Sequence, residues 1–219
     1  MNYTIKTFDT PRLEGISEKQ VKVHLGLYEG YVKHVNLIME KLSAVRAGQV
    51  EPASPEMSSR GGLDPYLVAE LRRRFAFEFD GMRLHEQYFE QFEGGLTSLT
   101  SGGMFEKIIV EKYGSTSLTT GGDALVAHIK EVAGTRGVGW VVVYADPRAK
   151  TLHTVFVGDH EIGQLAGLPI ILALDLWEHA YMVDYVPAEK KNYVDAFFAN
   201  INWGVIEKRF DEAMAMSVA

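Results

Sequence analysis

The chain has 219 residues, 47% of them hydrophobic, a formal net charge of -7 and no cysteine. That length buries a substantial core as one domain or two small ones packed together, and the acidic balance argues against a nucleic-acid partner, which demands a basic face. The missing cysteines exclude disulfides, thiolate nucleophiles, zinc ribbons and iron–sulfur clusters, so any metal site must use His, Asp, Glu or water.

From Ser17 to Leu42 the residues Val21, His24, Tyr28, Tyr31, Val35, Ile38 and Leu42 recur at spacings of three and four, one face of a helix. Ser17 followed by Gln20 predicts a capping box at its start. Residues 47–62, rich in Gly, Pro and Ser, read as a connecting loop. After Asp64-Pro65 a second helical pattern runs to about Phe92, with Phe77, Gly81, His85, Tyr88 and Phe92 on one stripe, and Gly94-Gly95 stops it. Two helices joined by a loop predict a hairpin with His24 and His85 on apolar faces.

The Gly/Ser/Thr-rich stretch 94–103 marks a domain boundary, and shorter helices follow it. Residues 140–144 and 151–157 flank the turn Asp146-Pro147-Arg148 and predict an antiparallel hairpin. A third strand, Pro169 to Leu174, runs straight into Asp175, and helical patterns cover Glu189–Ala199 and Trp203 to about Met214. The expected fold is α+β: an N-terminal long α-helical hairpin, residues 1–96, followed by a C-terminal α/β domain, residues 97–219. Residues 1–11 lack a basic start before an apolar stretch, and no apolar run reaches membrane-spanning length, so a cytoplasmic location without a membrane partner is expected.

A lone histidine on a helix stripe reads first as a core residue with satisfied ring nitrogens. Two on paired helices shift the balance, because burying imidazoles without a strong partner is costly and a shared ion satisfies both. Asp175 at a strand end and His179 four residues on complete a set of three imidazoles and one carboxylate, suited to iron or manganese as well as zinc.

The run Asp175-Leu176-Trp177-Glu178-His179-Ala180-Tyr181 is similar to the Asp-x-Trp-Glu-His-Ala-Tyr signature of iron/manganese superoxide dismutases. Gly137-Val138-Gly139-Trp140 resembles that family's Gly-Ser-Gly-Trp strand entry, His85-Glu86-Gln87-Tyr88-Phe89 its His-x-x-Tyr-Trp segment, and Asn202-Trp203 the opening of its last helix. The resemblance implies metal ligands His24, His85, Asp175 and His179, one iron or manganese ion per subunit, and a three-stranded antiparallel sheet in the second domain. It further implies a homodimer or larger oligomer, with Glu178 bridging to the partner subunit's ligand histidine and Tyr181 at the interface. Trp140, Trp177 and Phe89 would wall the pocket and keep it dry.

Two departures stand out. Tyr31 follows His24 by seven residues where the family's active-site tyrosine follows by eight, so a helix without a π-bulge is expected here. Tyr31 is preferred over Val32 as the relay because Val cannot carry protons, and the family's histidine on this helix is replaced by Leu27 or Tyr28. Second, neither usual place holds the outer-sphere glutamine: Gly81 matches the glycine of manganese-type members, and His160 lies where their glutamine would. His160 also reads as a solvated loop residue; some relatives use histidine there, which tilts the choice of metal towards iron. The family's arginine after the signature is not evident; Lys190 is a substitute for its charge, and Arg72-Arg73-Arg74 reads as a solvated face rather than a substrate guide.

The resemblance implies disproportionation of superoxide to oxygen and hydrogen peroxide, with Tyr31 and His160 relaying protons. Two other readings compete: a ferrous oxygenase, against which the third imidazole counts, and a catalytically altered or inactive member acting as a binding module, against which the intact ligand set counts.

Overall fold

The structure is a computed structural model that describes residues 2–47, 65–114 and 121–216. The expected loop at 47–62 therefore lies almost wholly outside the described residues, as does the Asp64 of the second helix's start. The elements are α1 (Glu18–Arg46), α2 (Pro65–Glu90), α3 (Met104–Tyr113), α4 (Gly121–Ala133), β1 (Gly139–Asp146), β2 (Thr151–Gly158), β3 (Ile170–Asp175), α5 (Lys190–Phe198) and α6 (Trp203–Ala215). Short 3-10 turns at Glu178–Ala180 and Pro187–Glu189 link β3 to α5. No described helix is long and apolar enough to cross a membrane.

Helix α1 starts where Ser17 Oγ accepts the Gln20 backbone N–H, satisfying one of the donors a helix start leaves unpaired. Only half of the expected capping box forms. The Gln20 side chain instead donates to the carbonyl of His179 at 2.7 Å and accepts from the N–H of Val183 at 2.9 Å, tying α1 to the chain after β3. Ser17 itself is held by Asp184 through both its N–H and its hydroxyl. The helix is α-helical throughout, with no π-bulge, and buries Gln20, His24, Tyr28, Val32, Val35 and Ile38. Tyr31 is thus one step off the fully buried stripe on which the apolar spacing placed it, half-buried at its edge.

Helix α2 packs along α1 and turns out of helical geometry after Glu90, with Gly94 and Gly95 both at positive φ. The sheet is three-stranded and antiparallel, in the order β2-β1-β3. Its centre, β1, is buried from Gly139 to Ala145, as its unbroken apolar run demands. The β1–β2 connection turns on Asp146, whose Oδ1 accepts the N–H groups of Arg148 and Ala149. Gly139 enters β1 at φ +151°, where a Cβ would lie 2.1 Å from the Val157 carbonyl oxygen, so no other residue fits.

Two contacts lock the helices to the sheet. Gln91, just past α2, donates its amide to the Ala173 carbonyl and accepts the Ala173 N–H, both at 2.8 Å. Arg209 of α6 donates to the carbonyls of Ile171 and Gln87 and to Glu90. The register places Trp140 opposite Asp175, which fixes the carboxylate at the end of β3 against the two long helices.

Candidate metal centre

Each donor is delivered by a different piece of local structure. His24 projects from the buried face of α1 against the rings of Tyr88 and Phe89, at 4.8 and 4.9 Å. His85 projects from α2, and its Nδ1–H donates to the Gly81 carbonyl at 2.6 Å, one turn back. That bond assigns the tautomer: the proton is on Nδ1 and the lone pair on Nε2 points inward. Asp175 ends β3, and His179 follows four residues on, carried by the 3-10 turn.

The donor atoms of His24, His85, Asp175 and His179 all lie within 4.8 Å of one another. The Nε2 atoms of His24, His179 and His85 stand 3.0, 3.2 and 3.7 Å from the same Asp175 oxygen, Oδ2. The other oxygen, Oδ1, accepts the backbone N–H of Trp177 at 2.8 Å. His24, His85 and Asp175 are fully buried, and His85 Nε2 has no hydrogen-bond partner. A buried ring nitrogen left bare costs on the order of 1–3 kcal/mol, and a cation shared by the cluster removes that cost.

The electrostatics suit the same occupant. Burial alone would raise the Asp175 carboxyl, but the His179 and His24 rings overcome it and hold the group well below the ordinary carboxylate range. Burial pushes the imidazoles of His24 and His85 down, so both are neutral donors near neutral pH. A ligand set of imidazoles and one carboxylate compensates only one unit of a divalent or trivalent ion's charge.

Tyr31 and His160 meet beside the cluster. Tyr31 Oη and His160 Nε2 are 2.8 Å apart, and the Tyr31 ring lies 5.0 Å from that of His85. On its other side His160 Nδ1 accepts the indole N–H of Trp140 at 2.9 Å. An indole nitrogen only donates, so His160 carries its proton on Nε2 and gives it to Tyr31 Oη. The Tyr31 hydroxyl keeps its own hydrogen free to donate. Burial keeps the His160 ring neutral, lowering it to about 4, and raises the Tyr31 phenol well above its usual value. His160 is fully buried, which sets aside its reading as a solvated loop residue. Asp159, in the left-handed region at φ 51°, aims its carbonyl at the Trp177 indole N–H, and Trp177 lies nearly parallel to both His160 and His179.

Leu27 and Tyr28, neighbours on α1, face different surroundings. Tyr28 turns away, its hydroxyl accepting the Lys6 N–H and donating to Glu86, while Leu27, a helical turn before Tyr31, is exposed. Glu178 is exposed, and Tyr181 is buried against Tyr193, ring centroids 5.3 Å apart. Lys190 donates to the Thr135 carbonyl at 3.4 Å. Arg72 and Arg73 are exposed, whereas Arg74 is half-buried, its guanidinium lying over the Phe77 ring. Phe77, 4.6 Å from the His160 ring, and the tie through Gln20 are parts of the site that helical spacing hides, since on sequence each is one more residue of an amphipathic helix.

A mononuclear nitrogen/oxygen metal centre, set between a helical pair and the end of a three-stranded antiparallel sheet, is the class that this fold and site define. Residues 101–209 match the iron/manganese superoxide dismutases, C-terminal domain. The chain is 34% identical over 203 residues to an Fe superoxide dismutase of Aquifex pyrophilus, covering 92% of this chain and 87% of that protein. It is 31% identical over 205 residues to an Fe superoxide dismutase of Cupriavidus metallidurans, covering 93% and 92%. A Mn/Fe superoxide dismutase of Aeropyrum pernix is 29% identical over 202 residues, covering 91% and 85%. The chain belongs to the iron/manganese superoxide dismutase family.

Proposed function

We propose that this chain is a superoxide dismutase, converting two superoxide anions and two protons to oxygen and hydrogen peroxide. The observation that carries the reading is the bare, buried Nε2 of His85 facing Asp175 Oδ2 in company with the Nε2 atoms of His24 and His179. His24, His85, Asp175 and His179 would hold one iron or manganese ion, with iron favoured because His160 replaces the outer-sphere glutamine and several relatives are named Fe enzymes. When bound, the ion supplies the one-electron couple that both half-reactions need.

The protein's own part is proton delivery and exclusion of water. In this reading Tyr31 donates its free hydroxyl proton towards the reacting oxygen, and His160, oriented by Trp140, holds the phenol in place. Gly81 gives the Tyr31 ring its room, and Phe89, Trp140 and Trp177 keep the centre apolar and dry. Residues 1–96 and 97–219 act as two domains that trap the ion between them. Exposed Met182 and Val183, which follow Glu178 and Tyr181 in the chain, favour a homodimer that covers this segment, in a cytoplasmic protein. The test is reconstitution with iron or manganese separately, followed by superoxide consumption assays and sedimentation. Stoichiometric metal with no activity above free ion sinks the enzyme reading, and a monomer at micromolar concentration sinks the dimer.

A further inference from the structure

We propose that Arg74 is the cation that draws the anionic substrate to the mouth of this centre, with the Phe77 ring as the platform that holds it there. The identity of the anion rests on the dismutase reading; the placement of the charge does not. A chain of net charge -7 repels small anions, so rapid capture needs a local positive field at the pocket.

The Arg74 guanidinium carbon lies 3.9 Å from the Phe77 ring centroid. That ring in turn lies 4.6 Å from His160 and 6.3 Å from each of Tyr31 and Trp177. A single aromatic layer therefore separates the cation from the paired Tyr31 and His160. Its field is felt at both, lowering the proton affinity of each, though burial dominates the two shifts. The ring side chains on this flank, Tyr31, Phe77, Trp177 and His179, are each only half-buried, whereas His24, His85, Asp175 and His160 are sealed. The partly exposed side of the centre is therefore the flank that Arg74 overlooks.

Arg74 has a counter-ion, and the arrangement decides what remains of its charge. Its Nε donates to Glu78 Oε1 at 2.7 Å, but the two ends differ in exposure: 43% for the arginine side chain against 4% for the glutamate. The pair is a dipole with its positive end outward. Glu78 is also shared, since His34 Nδ1 stands 3.5 Å from its other oxygen. Arg73, next along the helix, has its charge taken up by a bidentate contact with exposed Glu70 and lies within range of Glu161 as well. Stacking on Phe77 and the bond to Glu78 fix the guanidinium, which a lysine in the same place would do less well.

The test uses the full chain loaded with iron, read by azide affinity from its absorbance and by superoxide kcat/KM, each at low and high ionic strength. Arg74→Gln is expected to weaken azide binding and lower kcat/KM by about three-fold at low salt, with kcat changed less, and the deficit should vanish at high salt. Arg74→Lys should recover most of the loss, and Arg73→Gln should match the parent. Unchanged azide affinity and an unchanged salt slope in Arg74→Gln overturn the assignment. If Arg74→Gln folds poorly, Glu78→Gln leaves the cation unopposed and should tighten azide; weaker azide binding in that variant also overturns it. A parent protein that dismutates nothing, yet loses azide affinity on Arg74→Gln, defeats the dismutase reading and leaves the guiding role standing.

Discussion

Gly81 lies directly beneath Tyr31: a methyl group on its α-carbon would sit 2.8 Å from both Cδ1 and Cε1 of the tyrosine ring. The same residue's carbonyl accepts the Nδ1–H of His85, so one glycine supports a metal-facing imidazole and leaves space for the phenol beside it. Gly81→Ala should displace the Tyr31 ring and cost about 1–3 kcal/mol from overpacking, despite alanine's better helix propensity. Urea unfolding measures the cost. A variant as stable as the parent would mean that the ring moves freely.

The Trp140–His160–Tyr31 chain makes its own prediction, because a carboxamide can reproduce both bonds of the imidazole. In His160→Gln the amide oxygen can accept from Trp140 and the amide N–H can donate to Tyr31 Oη, so activity should persist. His160→Leu removes both bonds and should lower kcat by about ten-fold or more at unchanged metal content, as should Tyr31→Phe. Steady-state kinetics with metal analysis of each variant checks this, and equal losses for Gln and Leu would contradict it.

Gln20 directs its side-chain hydrogen bonds to backbone and not to a ligand side chain, gripping the His179 carbonyl and the Val183 N–H. Gln20→Leu should free the turn that carries His179 and lower metal affinity by about 10- to 100-fold while the helices stay folded. Competition with a chelator gives the affinity and circular dichroism the helix content.

Asp80 provides a pH signature. Burial, helped by the charge of Glu161, raises its carboxyl from an ordinary 3.8 to about 6. As pH rises from 3.8 to 6 the unfolded chain releases this proton before the folded one, so the residue lowers stability above that window. Asp80→Asn should therefore raise Tm at pH 7.5, with the gain shrinking as pH falls towards 4. Thermal melts at the two pH values test the sign, and an equal gain at both would assign the effect to something other than ionisation.

The ligand set is legible in the sequence because each donor sits where short-range pattern dictates structure: His24 and His85 on helix stripes, Asp175 at a strand end, His179 inside a recognisable run. The helical hairpin and the sheet are legible for the same reason, since period-3.6 and continuous apolar runs report which faces are buried. Three-dimensional partnership is not legible. Nothing in the spacing of α2 separates Arg74 from Arg72 and Arg73; what separates them is the aromatic ring and the buried carboxylate that only one of them reaches. Gln20 reads as half of a capping box because that motif is local, while its real partners are more than 150 positions away. Spacing alone puts Tyr31 on the same face as His24 and only the family resemblance gives it a relay role, whereas in the structure it stands at the edge of that face and meets His160.

The strand that carries Asp175 is at the margin of its sheet, a place where unpaired peptide groups would invite a second molecule, but here Ile171 to Asp175 are buried beneath side chains of the neighbouring elements. The carboxamide of Gln91 answers Ala173 with one acceptor and one donor, as a neighbouring peptide would, and so imitates the missing strand at that residue. Strand-to-strand polymerisation through the ligand-bearing segment is thereby discouraged before any ion binds. A Gln91→Ala chain should form intermolecular β-structure faster on warming, through the very segment that presents the carboxylate.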